Sequence, residues 1–285
     1  MFVFLASLLT SVLVFPALQL FPSADFLSQL LMLAALIAAT YIMTRFVNMK
    51  PFGAIGLSLH PAMMRQFGSG LLLGLVMMAS VYCVEMLCGF VVLSWKGLAI
   101  WKVLWVLVSS LAIFGVAALM EEVAFRGYLF QTLIQGITFL PATLLMTLFF
   151  CAAHLRNPGV STLSIVNIAL AGVWLSVAYM KTRSLWLPFG LHWSWNFAQT
   201  TVFGYPTSGG TFEGQRVFDA VQAGPDWMTG GSFGPEGGIL STIALVACTW
   251  FILKSENLAA PEGIVTLDSI EDLIVAQRDS GERTA

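Results

Sequence analysis

Charge is what this sequence has least of. Charged residues fill only 10% of its 285 positions, 13 basic and 15 acidic, where a soluble domain carries about 25%. The net charge of −2 comes without any basic stripe, so nucleic acid is not an expected partner. Cysteine is sparse as well. Cys83, Cys88, Cys151 and Cys248 form no CxxC pair and lie in apolar runs, which reads as small core side chains and not as a redox or metal framework. There is no HExxH pair of the kind that builds a zinc-protease core. The first residues, Met1-Phe2-Val3-Phe4-Leu5, carry no basic cluster, so a first membrane helix is expected here and not a cleaved signal.

What is present is hydrocarbon. Hydrophobic residues make up 58% and the mean hydropathy is +0.86, values of an integral, multi-pass membrane protein whose surroundings are the lipid bilayer. The apolar runs last about 20 residues, the length of a helical span and too long for barrel strands. The expected fold is therefore all-α, a polytopic transmembrane bundle of about eight spans, near 2–22, 27–47, 69–94, 99–120, 138–156, 161–180, 184–203 and 239–254. Four regions follow: scaffold helices over 1–98, a core rich in polar motifs over 99–210, a glycine-rich stretch and last span over 211–254, and a soluble acidic tail over 255–285. In that tail Leu267, Ile270 and Ile274 have the spacing of a short amphipathic helix. The stretch 204–238, rich in glycine and acids, is either a lid or a flexible extramembrane loop. Arg45, Lys50, Arg65, Lys181, Arg183 and Lys254 fall on one side of this topology, and Lys96, Lys102, Arg156 and Arg216 on the other. That balance places both termini in the cytoplasm, with the plasma membrane as the expected location.

Against such a background, ionisable residues inside the spans are functional candidates. Glu121 and Glu122 are adjacent, and Arg126 follows Glu122 by four residues, which puts that pair on one helix face with the acid first. Glu122 is then neutralised by Arg126, and Glu121 is free for other work. Phe150 and His154 share a face, as do His192 and Asn196. A turn near Gly136-Ile137 is equally far from Glu121 and His154, so an antiparallel helical pair brings them level. All three helices share one depth only if the Glu121 helix is broken, tilted or partly re-entrant. Glu85 is a further acid within a span; it either supports the site from behind or pairs with a neighbouring helix, the second being favoured. His60, beside Pro61, reads as a solvated loop residue.

A carboxylate and an imidazole can activate water for attack on a carbonyl. A second imidazole and an amide, able to donate without full charge, can stabilise the oxyanion that forms. The set needs no serine or cysteine nucleophile and fits amide hydrolysis. Two other classes remain: a non-enzymatic adaptor or immunity protein of the same fold, and a proton-coupled transporter using Glu85, Glu121 and His154.

In order, Glu121-Glu122-x-x-x-Arg126, Phe150-x-x-x-His154 and His192-x-x-x-Asn196 resemble the three motifs of the CPBP family, the CAAX-protease and bacteriocin-processing (ABI) proteins. Phe125-Arg126-Gly127-Tyr128 and Phe203-Gly204-Tyr205-Pro206 add to the likeness, which covers about residues 100–210. The resemblance implies a glutamate-dependent intramembrane endopeptidase acting on a membrane-associated protein or peptide, prenylated in the CAAX-type members. It implies that Glu121 activates the water with help from His154, that His192 and Asn196 form the oxyanion site, and that Glu122 and Arg126 hold the geometry. No cofactor is expected. A divalent metal held by Glu121, His154 and His192, with Glu122 also a ligand by type, is the less favoured alternative, because Arg126 brings positive charge to the same place.

Overall fold

The computed structural model describes residues 1–3, 5–11, 25–260 and 263–267. Its long helices are α1 (Asp25–Ile42), α2 (Met63–Leu87), α3 (Ile100–Arg126) and α6 (Thr162–Thr182). Shorter ones are α4 (Tyr128–Ile137), α5 (Phe139–His154), α7 (Trp186–Phe197), α8 (Asp226–Thr229) and α9 (Ile239–Lys254). Both α1 and α7 run on into a single π-helical turn, Met43–Val47 and Ala198–Val202 respectively.

Among the described residues, four segments are long and apolar enough to cross a membrane: Phe26–Val47, Met63–Leu87, Ile100–Ile137 and Thr162–Thr182. The protein is thus a multi-pass helical membrane protein. Along α3, Trp101, Leu104, Trp105, Val108 and Leu111 are all exposed, a helical stripe suited to lipid.

Of the eight expected spans, 138–156 and 239–254 shorten to helices below span length, two more change, and one lies largely outside the described residues. Most of 2–22 and the Ile270 and Ile274 positions of the tail lie outside the described residues. The end of the 69–94 run is not helix: α2 stops at Leu87, and Val91–Trp95 forms β1. This strand pairs antiparallel with β2 (Phe218–Gln222), from Val91 opposite Gln222 to Trp95 opposite Phe218. The 184–203 run is apolar because it is interior, with Leu187, Phe189, Leu191 and Trp195 of α7 all buried. Hydropathy cannot separate a helix sheathed in lipid from one sheathed in protein.

Three glycines place α7 in that interior. A Cβ on Gly70 would come 2.5 Å from the Leu187 carbonyl oxygen, one on Gly74 2.5 Å from that of Leu191, and one on Gly190 2.5 Å from that of Phe67. The backbones of α2 and α7 therefore touch, the use to which small residues spaced by four are put within membranes. Around this crossing, Met78 and Val81 of α2, Trp174 and Leu175 of α6, Leu191 of α7 and Leu245 of α9 close one core. Of the cysteines, only Cys248 is buried there, Cys151 is half-buried, and Cys83 and Cys88 are exposed on or just beyond α2. The core reading thus fails for those two.

The stretch 204–238 is structured. Beyond β2 and α8 it contributes the buried Tyr205, Thr229 and Phe233. It begins at Gly204, whose φ of +71° is a left-handed conformation that glycine adopts without strain.

Gly74→Leu should abolish the α2–α7 contact and lower stability by roughly 3 kcal/mol or more, since backbone must move to admit the side chain. Gly136→Ala, on α4 with open space around it, should be neutral or stabilising by up to about 1 kcal/mol. Thermal unfolding of the two variants in detergent checks both.

Candidate active site

The site starts from the last turns of α3. Glu122 and Arg126 are buried, and Arg126 Nη1 donates to Glu122 Oε1 at 3.2 Å. The spacing of four on a helix permits this bond. The guanidinium is held further by Nη2, which donates to the Gly172 carbonyl of α6 at 3.1 Å. It also lies 5.0 Å from the Phe150 ring centroid, within cation–π range.

Glu122 has a second partner. His192 Nδ1 lies 2.8 Å from the same Oε1. A carboxylate only accepts, so Nδ1 carries the hydrogen. One buried oxygen thus joins α3 to α7 directly, and through Arg126 to α6.

Glu121 turns about 100° away from this cluster. Its side chain is 27% exposed, and its Oε2 lies 3.8 Å from His192 Nε2. It lines a cavity of about 360 Å³ together with His154, His192 and Asn196. His154 closes α5; its Nδ1 donates to the Phe150 carbonyl at 2.7 Å, since a carbonyl too can only accept. With Nδ1–H used, Nε2 of a neutral ring is an acceptor.

The question of depth is answered by a break in the chain. Helix α3 ends at Arg126, and Gly127 takes φ −77° and ψ −128° before α4 begins. A side chain at Gly127 would run into the Val123 carbonyl. Past this break α4 lies against other protein. Gln131 Nε2 donates to the Ile55 carbonyl at 2.7 Å, and Leu267 N donates to Gln131 Oε1 at 3.2 Å. The reversal comes at Thr138, where the Gly136-Ile137 turn was expected. Helix α5 then returns only far enough to set Phe150 edge-on to Phe125, 5.0 Å between centroids, with His154 one turn further.

Three sequence readings change. His192 cannot donate from Nε2 while neutral, because its one hydrogen is committed to Glu122; the expected uncharged donor is Asn196 alone. Glu85 does not pair with a neighbouring helix. Its Oε2 accepts from Tyr205 Oη at 2.7 Å, so it ties α2 to the chain after α7, away from the cavity lining. His60 is partly buried, with Nε2 3.3 Å from Ser184 Oγ, and burial pulls its pKa below the usual imidazole value.

The cavity also has walls that motif reading missed. Ser208 and Glu236 come from the 204–238 stretch, Asn167 from α6 and Trp195 from α7. Asn167 stood out in sequence as a lone amide in an apolar run. Glu236 was one acid among several, and nothing local marked it. As for metal ions, no group of three or more His, Cys, Asp or Glu side chains converges suitably among the described residues. Nδ1 of His154 and of His192 already faces an acceptor, which leaves Nε2 as the open nitrogen of each ring, and Glu122 is shared between Arg126 and His192.

Residues 99–198 match the family model described as type II CAAX prenyl endopeptidase Rce1-like. The matched segment includes all seven motif residues from Glu121 to Asn196. No curated protein matches the chain, and no solved structure does.

Arg126→Leu leaves Glu122 buried without its cation, and stability should drop by roughly 3–5 kcal/mol. Adding Glu122→Gln should return a large part of that loss. Thermal unfolding and monodispersity of the single and double variants in detergent check the order; equal stability of wild type and Arg126→Leu contradicts it.

Proposed function

Because residues 99–198 match the Rce1-like family model, we propose that this chain is an intramembrane endopeptidase. Its substrate is a membrane-associated protein or peptide, of the prenylated CAAX type that the family description names. The observation that carries the reading is the separation of two adjacent carboxylates: Glu122 is neutralised by Arg126, while Glu121 opens to a cavity shared with His154, His192 and Asn196.

A water between Glu121 and His154 loses its proton to this pair and attacks the scissile carbonyl. Asn196 donates to the oxyanion from the start. His192 joins when it gains a proton at Nε2, which faces Glu121 Oε2 at 3.8 Å. That proton comes from bulk solvent before the attack, so the proton taken from the water stays with Glu121 and His154 and is available for the leaving amine. His154, with Nδ1 fixed on Phe150, passes a proton from Nε2 to the leaving amine. Glu122 holds the His192 ring in the orientation these steps need.

A proton-relay transporter would need Glu85 in line with Glu121 and His154, and Tyr205 holds Glu85 elsewhere.

Glu121→Gln should lower cleavage of a prenylated peptide by at least about a hundredfold without loss of folded protein. Unchanged cleavage would falsify the assignment of the base, and the absence of any cleavage by wild type would favour the adaptor reading. Metal-stripped wild type should keep its rate in the presence of a chelator; a loss restored by a divalent ion would require a metal mechanism.

A further inference from the structure

The roof of the cavity carries a carboxylate that the proposed chemistry does not use. Glu236 lines the cavity and is only partly exposed. Its Oε1 accepts from Trp195 Nε1 at 3.1 Å. Its Oε2 accepts from the Ser208 backbone N–H at 2.6 Å and from Ser208 Oγ at 2.8 Å. The backbone behind it is fixed too: Asn167 Nδ2 donates to the Glu236 carbonyl at 2.7 Å, and Thr242 Oγ1 donates to Asn167 Oδ1 at 2.6 Å. This is a carboxylate built into a wall and not a solvated surface acid.

All its partners are neutral. Another acid of the same stretch, Asp219, has cations beside it, Lys96 at 3.8 Å and Arg216 at 3.7 Å. Among the described residues Glu236 has none, and no described lysine or arginine lines the cavity. Around the site three carboxylates, Glu121, Glu122 and Glu236, face one guanidinium, that of Arg126. A proton on His192 still leaves negative charge in excess. Most of the remaining lining is apolar, so that charge is weakly screened. Trp195 lies three residues beyond His192 on α7, and the carboxylate bonded to its indole lines the same cavity as His192 and Asn196.

We propose that Glu236 is a specificity-determining residue: it receives a basic side chain, lysine or arginine, of the substrate next to the scissile bond, and disfavours an acidic one. The inference rests on the endopeptidase reading above and deepens it to a substrate class, a peptide basic beside its cleavage point. A cation entering the cavity gains a counter-charge that no protein group supplies. An anion meets Glu236 and Glu121 together.

The test uses purified full-length protein and farnesylated peptides ending in a Cys-a-a-X sequence, with Lys, Gln or Glu placed in turn at each position flanking the cysteine. At one position or more, wild type should cleave the Lys peptide with kcat/KM roughly tenfold above the Glu peptide, the Gln peptide falling between. In Glu236→Gln that ratio should shrink to about twofold, while Glu236→Asp should keep its direction. The inference is overturned if wild type cleaves all three equally at every position, a result read without any variant, or if Glu236→Gln keeps the full ratio. Should wild type cleave none of the peptides, the endopeptidase reading falls first and takes the inference with it.

Discussion

One buried oxygen, Oε1 of Glu122, holds the site together. Arg126 reaches it at 3.2 Å along the same helix, and His192 reaches it at 2.8 Å from α7. Interior ion pairs gain little net stability, because desolvation of each partner costs several kcal/mol. What this one contributes is placement. Arg126 carries the connection on to the Gly172 carbonyl of α6. Three helices that would otherwise meet only through apolar side chains, whose contacts are non-directional, are fixed by directional bonds. Catalysis needs reacting groups held to fractions of an ångström, and hydrocarbon packing alone does not select a ring orientation for His192.

Placement in depth comes from a different source. A continuous helix from Ile100 to Ile137 would be about 57 Å long at 1.5 Å per residue, well beyond the roughly 30 Å hydrocarbon layer. The break at Gly127 divides it, and α4 becomes a buttress whose amide Gln131 bonds the loop ahead of α2 and the chain near Leu267. Helix α5 has 16 residues, so it stops with His154 near the level of Glu121 and never reaches full-span length. A short helix and an interrupted one are unusual in lipid. They are tolerated where neighbouring protein satisfies the freed backbone groups.

These features explain which parts of the molecule were legible in sequence. The Glu122–Arg126 pair, the shared faces of Phe150 with His154 and of His192 with Asn196, and the reversal near residue 137 all follow from helical periodicity, a local rule. The break at Gly127 was needed by the geometry but marked by one glycine only, so its position could not be singled out. The bond from His192 to Glu122 spans 70 residues and depends on how α7 rotates, which the tight glycine contacts at Gly70, Gly74 and Gly190 decide. Span counting took in α7 for the same reason: it is apolar because Met78 and Val81 of α2 and Trp174 of α6 surround it. The pairing of β1 with β2 and the bond from Tyr205 to Glu85 join residues more than 100 positions apart, and composition is silent on contacts of that range.

The ordered 204–238 stretch then has a physical purpose. A site that splits water must be wet, yet its carboxylates act strongly only where bulk water is excluded. Helices alone leave such a cavity open at their ends, because side chains on parallel cylinders cannot close a lid across them. Glycine-rich chain can, since it bends sharply enough for Ser208 and Glu236 to meet over α7. Beside apolar contacts of Phe212 with Phe114 and of Phe233 with Phe150 and Ile168, that closure is held by hydrogen bonds: Trp195 with Glu236, Asn157 with the Ser208 carbonyl, and Asn167 with Glu236 and Gly238. A roof held by polar bonds can be opened by a peptide that offers replacement donors and acceptors, whereas an apolar one would admit lipid as readily as substrate. The polar seam therefore reconciles a closed, weakly screened site with the need to admit a peptide backbone.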